Sequence, residues 1–316
     1  MSKLKLFFII IAVVLIGAGG ILFAISLKNG NLINKAETKT YDDLLEFENI
    51  DLDLSTSDVT IYKSEDGKAK VECDDYEKRY HTVEVIDGTL TIKMVDEYKW
   101  YESIMVFRTG SKVKIYLPKD EYNKLKVNNS TGDITVPNGF GFNEVSIDLS
   151  TGNVEFRSVC HGSITIETST GDITLTNVKA NGLDLSVDTG KIKLNDVHVS
   201  GNINLVTSTG KTTLEYVTCV DLTSKGSTGD IILTKTIASG KIKIERSTGD
   251  VKFDMSDGKT LVIKTSTGNV KGTLITEKTF YAHSSTKSVN VPHTTGEMCE
   301  IETSTGKIDI EISSNN

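Results

Sequence analysis

The sequence predicts an all-β protein, a parallel β-solenoid of about ten coils of 19–20 residues with an N-terminal β-rich cap and a single N-terminal transmembrane helix. Three observations carry that prediction. A Ser-Thr-Gly corner recurs at a fixed period over the C-terminal two thirds of the chain. Apolar and polar residues alternate on both sides of each corner. The strands this implies, about twenty, exceed what one open twisted sheet usually holds.

The first element is Leu6 to Leu27, a run of 22 residues with no charge and one hydroxyl, Ser26. As a helix rising about 1.5 Å per residue it spans about 33 Å, the thickness of a bilayer core. Lys3 and Lys5 precede it, so the positive-inside rule keeps the N-terminus in the cytoplasm and sends the rest outside. The alternative is a cleaved signal peptide, for which Ala24-Ile25-Ser26 offers a small-x-small site. The apolar run outlasts the roughly 7–15 residues of a signal core, which favours a retained anchor over residues 1–28. Either way the body lies outside the cytoplasm, on a bacterial cell membrane crossed once. Residues 29–40 form a polar linker.

Residues 41–124 are β-rich and irregular. Ile50-Asp51-Leu52-Asp53-Leu54 alternates, Ser55-Thr56-Ser57-Asp58 mimics the later corner, and Val59-Thr60-Ile61-Tyr62 follows. Val83 to Ile92 reads as a hairpin around Asp87-Gly88. Lys112 to Leu117 is a strand closed by Pro118. This segment is expected to cap the open solenoid end, whose bare edge would recruit other chains.

Residues 125–316 carry the repeat. Its corner glycines are Gly132, Gly152, Gly171, Gly190, Gly210, Gly229, Gly249, Gly268 and Gly306, spaced by 19 or 20 except for a last gap of 38. A degenerate copy, Ser285-Thr286-Lys287, sits at the midpoint of that gap and reads as one more coil. Two and four residues after the glycine, and seven and five before it, the columns are almost wholly apolar; Thr212, Ser224 and Gly272 are exceptions. Each coil therefore contributes two strands, each with one buried face, about four inward side chains in all. Glycine at the corner supplies positive φ. Coiling closes the inner faces on one another about 10 Å apart and stacks like residues every ~4.8 Å, giving a rod of roughly 45–50 Å. Burying about four side chains per coil, at roughly 1.5–3 kcal/mol each, does not offset ordering about 19 residues, so one coil cannot fold without its neighbours.

Composition narrows function. Beyond the anchor, with its Lys3, Lys5 and Lys28, 32 basic residues face 43 acidic ones, a formal charge of −11. That excludes a nucleic-acid partner, whose phosphates need a basic face. Cys73, Cys160, Cys219 and Cys299 form no CxxC pair and read as isolated small apolar side chains. Cys160 and Cys219 stand three coils, about 14 Å, apart, too far for a disulfide.

The opening strand pair, VEVIDGTLTIKM, KVKIYLPKDEYNKLKVNNSTGDITV and the serial STGD and STGN strands resemble the bacterial putative-adhesin family of unknown function, the domain-of-unknown-function 4097 type. The resemblance covers nearly all of residues 41–316. It implies a β-solenoid in a cell-envelope setting. Related domains occur in proteins tied to envelope-stress responses, and the family has no catalytic or ligand residues to carry over.

Several motifs imitate chemistry. Ser208-Thr209-Gly210-Lys211-Thr212 ends like a phosphate loop, but Leu205 stands where the first glycine is required, so no nucleotide is expected. Ser208 with Lys211, and Ser304 with Lys307, fit an S-x-x-K pattern that lacks its companion elements. Asp133, Asn153, Asp172, Asp230, Asp250 and Asn269 follow their glycines like a calcium ladder, but Lys191, Lys211 and Lys307 share the column and point to cross-coil Asp–Lys pairing instead. The histidines at 81, 161, 198, 283 and 293 lack metal spacing. No cofactor and no metal are expected. Catalysis by a carbohydrate-active solenoid would need clustered acids or arginines, and the array has only Arg157 and Arg246. Tyr98, Trp100 and Tyr101, in a loop, are the candidate partner-contact residues, with packing of the cap onto the first coil as the alternative.

The expected function is thus a non-enzymatic, membrane-anchored scaffold, adhesin-like, presenting its surface to cell-wall polymer or envelope proteins. The alternative is an envelope-stress sensor acting through a membrane partner, for which an acidic body suits cationic antimicrobial peptides. A carbohydrate-active enzyme is the third reading.

Overall fold

The computed structural model describes residues 3–28, 36–99 and 110–313. The N-terminal segment is a helix, α1 (Lys3–Lys28). Among the described residues, however, no helix is long and apolar enough to cross a membrane. The transmembrane helix expected from Leu6–Leu27 therefore has the sequence run as its sole support.

Among the described residues every helix or strand element after α1 is a β-strand, and the parallel β-solenoid is present. One coil shows how the sequence makes it. The strand Ser163–Thr170 turns Ile164, Ile166 and Thr168 inward, the chain bends at Gly171, and Ile173–Ala180 follows with Ile173, Leu175, Val178 and Ala180 inward. Ile164 pairs in parallel with Val145 of the coil before and Leu183 of the coil after. Ile173 pairs likewise with Val154 and Ile192. In-register stacking is what turns a sequence column into a column in space. The result is one continuous apolar core.

Each coil holds more interior than the two-strand reading foresaw. After Leu175 the chain bends again at Asn177, whose φ is 57°, and a third inward run begins with Val178. The bend recurs at Asp196, Tyr216, Lys235 and Met255, all with positive φ. None of these is glycine, so the column carries no compositional signature. Behind it lie the small side chains Cys160, Ala180, Val199, Cys219 and Ala238, all buried.

At both ends chain order and spatial order part. The cap strands are β1 (Glu37–Tyr41), β2 (Asn49–Lys63), β3 (Lys70–Asp75), β4 (Arg79–Ile86), β5 (Thr89–Asp96) and β6 (Ser111–Leu117); β7 (Glu121–Thr131) opens the regular array. β2 is the innermost of the cap strands. Its Ile50 pairs with Leu90 of β5 on one side and Leu125 of β7 on the other, and its Val59 pairs with Val113 of β6. Antiparallel strands then close the edge: β4 on β5, β3 on β6 and β1 on β3. The β4–β5 hairpin turns through Asp87 and Gly88 at φ of 48° and 70°, the two-residue turn that suits twisted strands.

The C-terminal end repeats the device, and here the sequence reading needs correcting. The degenerate copy is not an ordinary coil inside the last gap. The strand Asp257–Thr267 pairs directly with Glu297–Thr305, Leu261 against Cys299, while Lys278–Ser284 lies on the far side, Phe280 against Cys299. Nine glycine-cornered coils are thus contiguous, and the copy lacking glycine forms the outermost layer. There the Ser284 hydroxyl donates to the Gly306 carbonyl at 2.7 Å. A short terminal strand, Val289–Asn290, exposed at both residues in place of a full buried apolar face, blunts the open edge.

Candidate functional site

The corner glycines form a ladder down one edge. Gly210 donates its N–H to Thr228 O at 2.8 Å, and Gly190 to Thr209 O at 2.9 Å. Sequence reasoning required glycine for positive φ. The structure adds a second requirement: at Gly210, as at Gly268, a Cβ would fall inside the carbonyl oxygen of the preceding corner glycine.

The residue after each glycine does not behave as the sequence reading supposed. Asp133 Oδ1 accepts from the backbone N–H of Asn153 at 2.7 Å, Asn153 Oδ1 from Asp172 at 2.9 Å, and Asp172 Oδ1 from Lys191 at 2.8 Å. The chain Asp230, Asp250, Asn269, Lys307 repeats the pattern. The column is a side-chain-to-backbone ladder, not a row of Asp–Lys ion pairs, and lysine is tolerated because only its N–H is used. Among the described residues, no three His, Cys, Asp or Glu come together to hold a metal ion.

The segment resembling a phosphate loop is strand Ile203–Thr209, corner, strand Thr212–Cys219, with no helix to receive a phosphate. The four cysteines are buried free thiols. Burial pushes Cys219 and Cys299 up to about 12 and raises Cys73 and Cys160 as well, so none is a reactive thiolate at neutral pH. Of the aromatic trio, Trp100 and Tyr101 lie outside the described residues. Tyr98 is half-buried, with Lys78 Nζ 5.6 Å from its ring centre.

The sequence reading missed a Ser-His-Asp constellation in the cap. Ser57 Oγ is 3.2 Å from His81 Nε2, and His81 Nδ1 is 2.7 Å from Asp75 Oδ1. The three come from β2, β4 and β3, so no local motif announces them. The residue types are those of an acyl-transfer triad, but exposures of 1%, 1% and 2% leave Ser57 no path to a substrate. The cluster instead pins the cap. Asp75 also accepts the His81 N–H at 3.0 Å and pairs with Lys39 at 3.1 Å, and Tyr41 donates to His81 O at 2.8 Å. Burial acts to raise the Asp75 pKa, but the bonds from His81 and Lys39 outweigh it and hold the carboxyl below its ordinary value. A depressed carboxylate stabilises the fold above its unfolded pKa and loses that contribution as pH falls through the folded one. Asp75→Asn is therefore expected to cost about 2–4 kcal/mol at neutral pH. The gap to wild type should close on acidification below the ordinary carboxylate range. Urea midpoints between about pH 7 and about pH 3 test this, and a gap constant with pH would refute the assignment.

The surface feature best suited to a ligand is a shallow groove of about 700 Å³ that crosses six coils between Val206 and Ser304. It follows from the repeat. The third residue before each corner points inward and forms the floor, while its neighbours on either side point outward and form the walls. One wall carries Lys225, Glu245, Lys264, His283 and Glu302; the other is a ladder of serines from Ser208 to Ser304. Lys264 bridges Glu300 at 3.3 Å and Glu302 at 3.0 Å.

Arg246 lies in the floor, where other coils place Leu149, Thr168 or Val187. It is 5% exposed. Its Nη2 donates to Ser224 Oγ at 2.8 Å and Thr212 Oγ1 at 3.4 Å, and its Nη1 to Glu245 O at 3.2 Å. Ser224 and Thr212 are two of the polar exceptions in the apolar columns. Gly226 is a third departure: a Cβ there would lie 2.5 Å from Arg246 Nη1. Three departures from the repeat thus converge on one guanidinium, which sequence reasoning counted merely as one of the array's two arginines.

The comparisons agree with this architecture. No curated protein matches the chain. Among solved structures, it is similar to a putative lipid binding protein from Parabacteroides distasonis, with 15% identity, a TM-score of 0.52 and coverage of 88% of this chain and 98% of that one. A putative adhesin from Bacteroides fragilis matches with 18% identity and a TM-score of 0.46 over 88% of this chain and 99% of that one. At 15% identity the likeness to the first of these bears on the fold alone. The family model described as Toastrack DUF4097 matches residues 47–311, nearly the whole β-structure, and the chain therefore belongs to that family.

Proposed function

We propose that this protein is a non-catalytic scaffold of the bacterial envelope, held to the cell membrane by Leu6–Leu27, whose rigid solenoid presents its grooved face to cell-wall polymer. The observation that supports this most is the groove itself. It is open, spans several coils and is lined by hydroxyl and charged side chains held at one-coil spacing by a continuous apolar core. Such a surface suits an extended, hydroxyl-rich polymer better than a compact substrate. The adhesin-like role expected from the sequence is the same proposal in wider terms. The full chain in detergent micelles should co-sediment with purified wall material at low salt and at about 0.5 M salt alike, since hydroxyl contacts and charge contacts buried in a groove are screened far less than exposed charges. Failure to sediment at either salt overturns it.

The acidic body favours a second reading, an envelope-stress sensor that attracts cationic peptides and signals through a membrane partner. Peptide binding would then fall steeply with salt, opposite to the behaviour above.

A further inference from the structure

We propose that Arg246 is the anion-binding centre of the groove, accepting a carboxylate or phosphate carried by a hydroxyl-bearing polymer. The inference rests on the wall-polymer reading and assigns its point of recognition.

The argument starts from what the floor column prefers. Leu149 and Val187 fill it in two coils and neutral residues such as Thr168, Thr207, Gly226, Thr265 and Thr303 in others, and no other coil places a charge there. A guanidinium there is costly unless a counter-charge compensates it. None does: the ion pairs among the described residues put Glu245 with Lys243 and Lys225, and Glu302 with Lys264. Arg246 takes only hydroxyls and one carbonyl. Burial draws its pKa down to about 10, so it stays charged at neutral pH.

The buried Lys278 shows what a self-contained buried cation looks like in this protein. It meets Asp257 Oδ1 at 2.8 Å and Gly258 O at 2.7 Å, and Asp257 Oδ2 in turn accepts from the Thr276 N–H at 2.7 Å. That pair is complete within the fold. Arg246 is not, and it lines the groove with Lys225 and Lys264 on the adjoining wall. A planar guanidinium takes an oxyanion by paired N–H donors. The exposed serines at one-coil spacing, about 4.8 Å, then offer donors and acceptors to the hydroxyls of the same chain.

The test uses the full chain in detergent micelles, with oligogalacturonate, a glycerol-phosphate oligomer, inorganic phosphate and a neutral glucan oligomer as calorimetric probes. One of the two anionic oligomers should bind at one site per chain. Which one does so distinguishes a carboxylate source from a phosphate source, and tighter binding than inorganic phosphate shows that the hydroxyls contribute. Arg246→Met should weaken that binding roughly tenfold or more while melting no lower than wild type, because it removes a buried charge that no counter-charge compensates. Ser247→Tyr, at an exposed wall position that leaves the core intact, should block the groove with a similar loss. Equal binding of the anionic probe by both variants, or tighter binding of the neutral glucan than of either anion, overturns the assignment. Wild type that binds an anionic oligomer but not wall material strikes down the wall-scaffold reading and leaves this site. Wild type that sediments with wall material but binds neither anion does the reverse.

Discussion

Replacing Gly210 by alanine is expected to cost roughly 2–5 kcal/mol and to melt the middle of the array before its ends. Gly210 sits at φ 147°, a backbone conformation that L side chains rarely adopt, and its added Cβ would meet the carbonyl of Gly190. Both clashing partners are backbone, so no rotamer change relieves the contact. The coils must separate instead, which lengthens the Gly190 N–H to Thr209 O and Gly210 N–H to Thr228 O bonds that join three successive coils. Because each coil is stable only through its neighbours, the damage should stay local at first. Hydrogen exchange should show lost protection from about Asp184 to Ile231, with the cap protected. A drop in melting temperature of about 5–15 °C should accompany it, at roughly 2–4 °C per kcal/mol. Gly67→Ala is the control. Gly67 also has positive φ, 72°, but nothing lies near its added Cβ, so the cost there should be about 1 kcal/mol or less. Equal effects at the two positions would show that φ alone, not the close stacking of corners, explains the glycine column.

The contrast between those two glycines marks how far the sequence could be read. The array was legible because in-register stacking gives every coil the same demands, so Ile164, Leu183 and Ile203 repeat one residue type at one spacing. The corner was legible because only glycine fits it. The second corner was not, since Asn177, Tyr216 and Met255 share a backbone angle and no chemistry. The exchange of coil order at both ends was invisible for a related reason. Which copy neighbours which depends on where the chain crosses, and Leu261 meets Cys299 as readily as it would Phe280. The lost glycine at Lys287 was the one trace of it, and it read as decay of the repeat. Ser57, His81 and Asp75 come together only because β2 slips between later strands. Arg246 was the most readable of the missed features. Thr212 and Ser224 each break an otherwise apolar column within two coils of it, and polar exceptions that cluster in a stacked core must face one another.

Phe142→Ala is expected to cost about 3–5 kcal/mol and to uncouple the cap from the array. Phe142 is fully buried at the junction of the two. Its ring centre lies 6.2 Å from Tyr122, 6.3 Å from Phe156 and 6.5 Å from Phe140, and Tyr122 continues the chain to Phe47 at 5.8 Å. These tilted and stacked pairs contribute beyond the area they bury, at roughly 0.5–1.5 kcal/mol each. Phe47 belongs to the cap and Phe156 to the second coil, so the cluster links side chains across that boundary. Removing its centre leaves a cavity that the hydrogen-bonded coils on either side cannot collapse to fill. Phe142→Leu, which keeps most of the volume, should cost about 1–2 kcal/mol. The distribution of the loss matters more than its size. If coils couple only to their neighbours, hydrogen exchange in Phe142→Ala should quicken across β2 to β7 while Ile242–Ile263 keeps its protection. Uniform quickening along the whole chain would mean that cap and array unfold as one unit. The stepwise stability inferred from the repeat would then be wrong, because the continuous core would be acting as a single cooperative body.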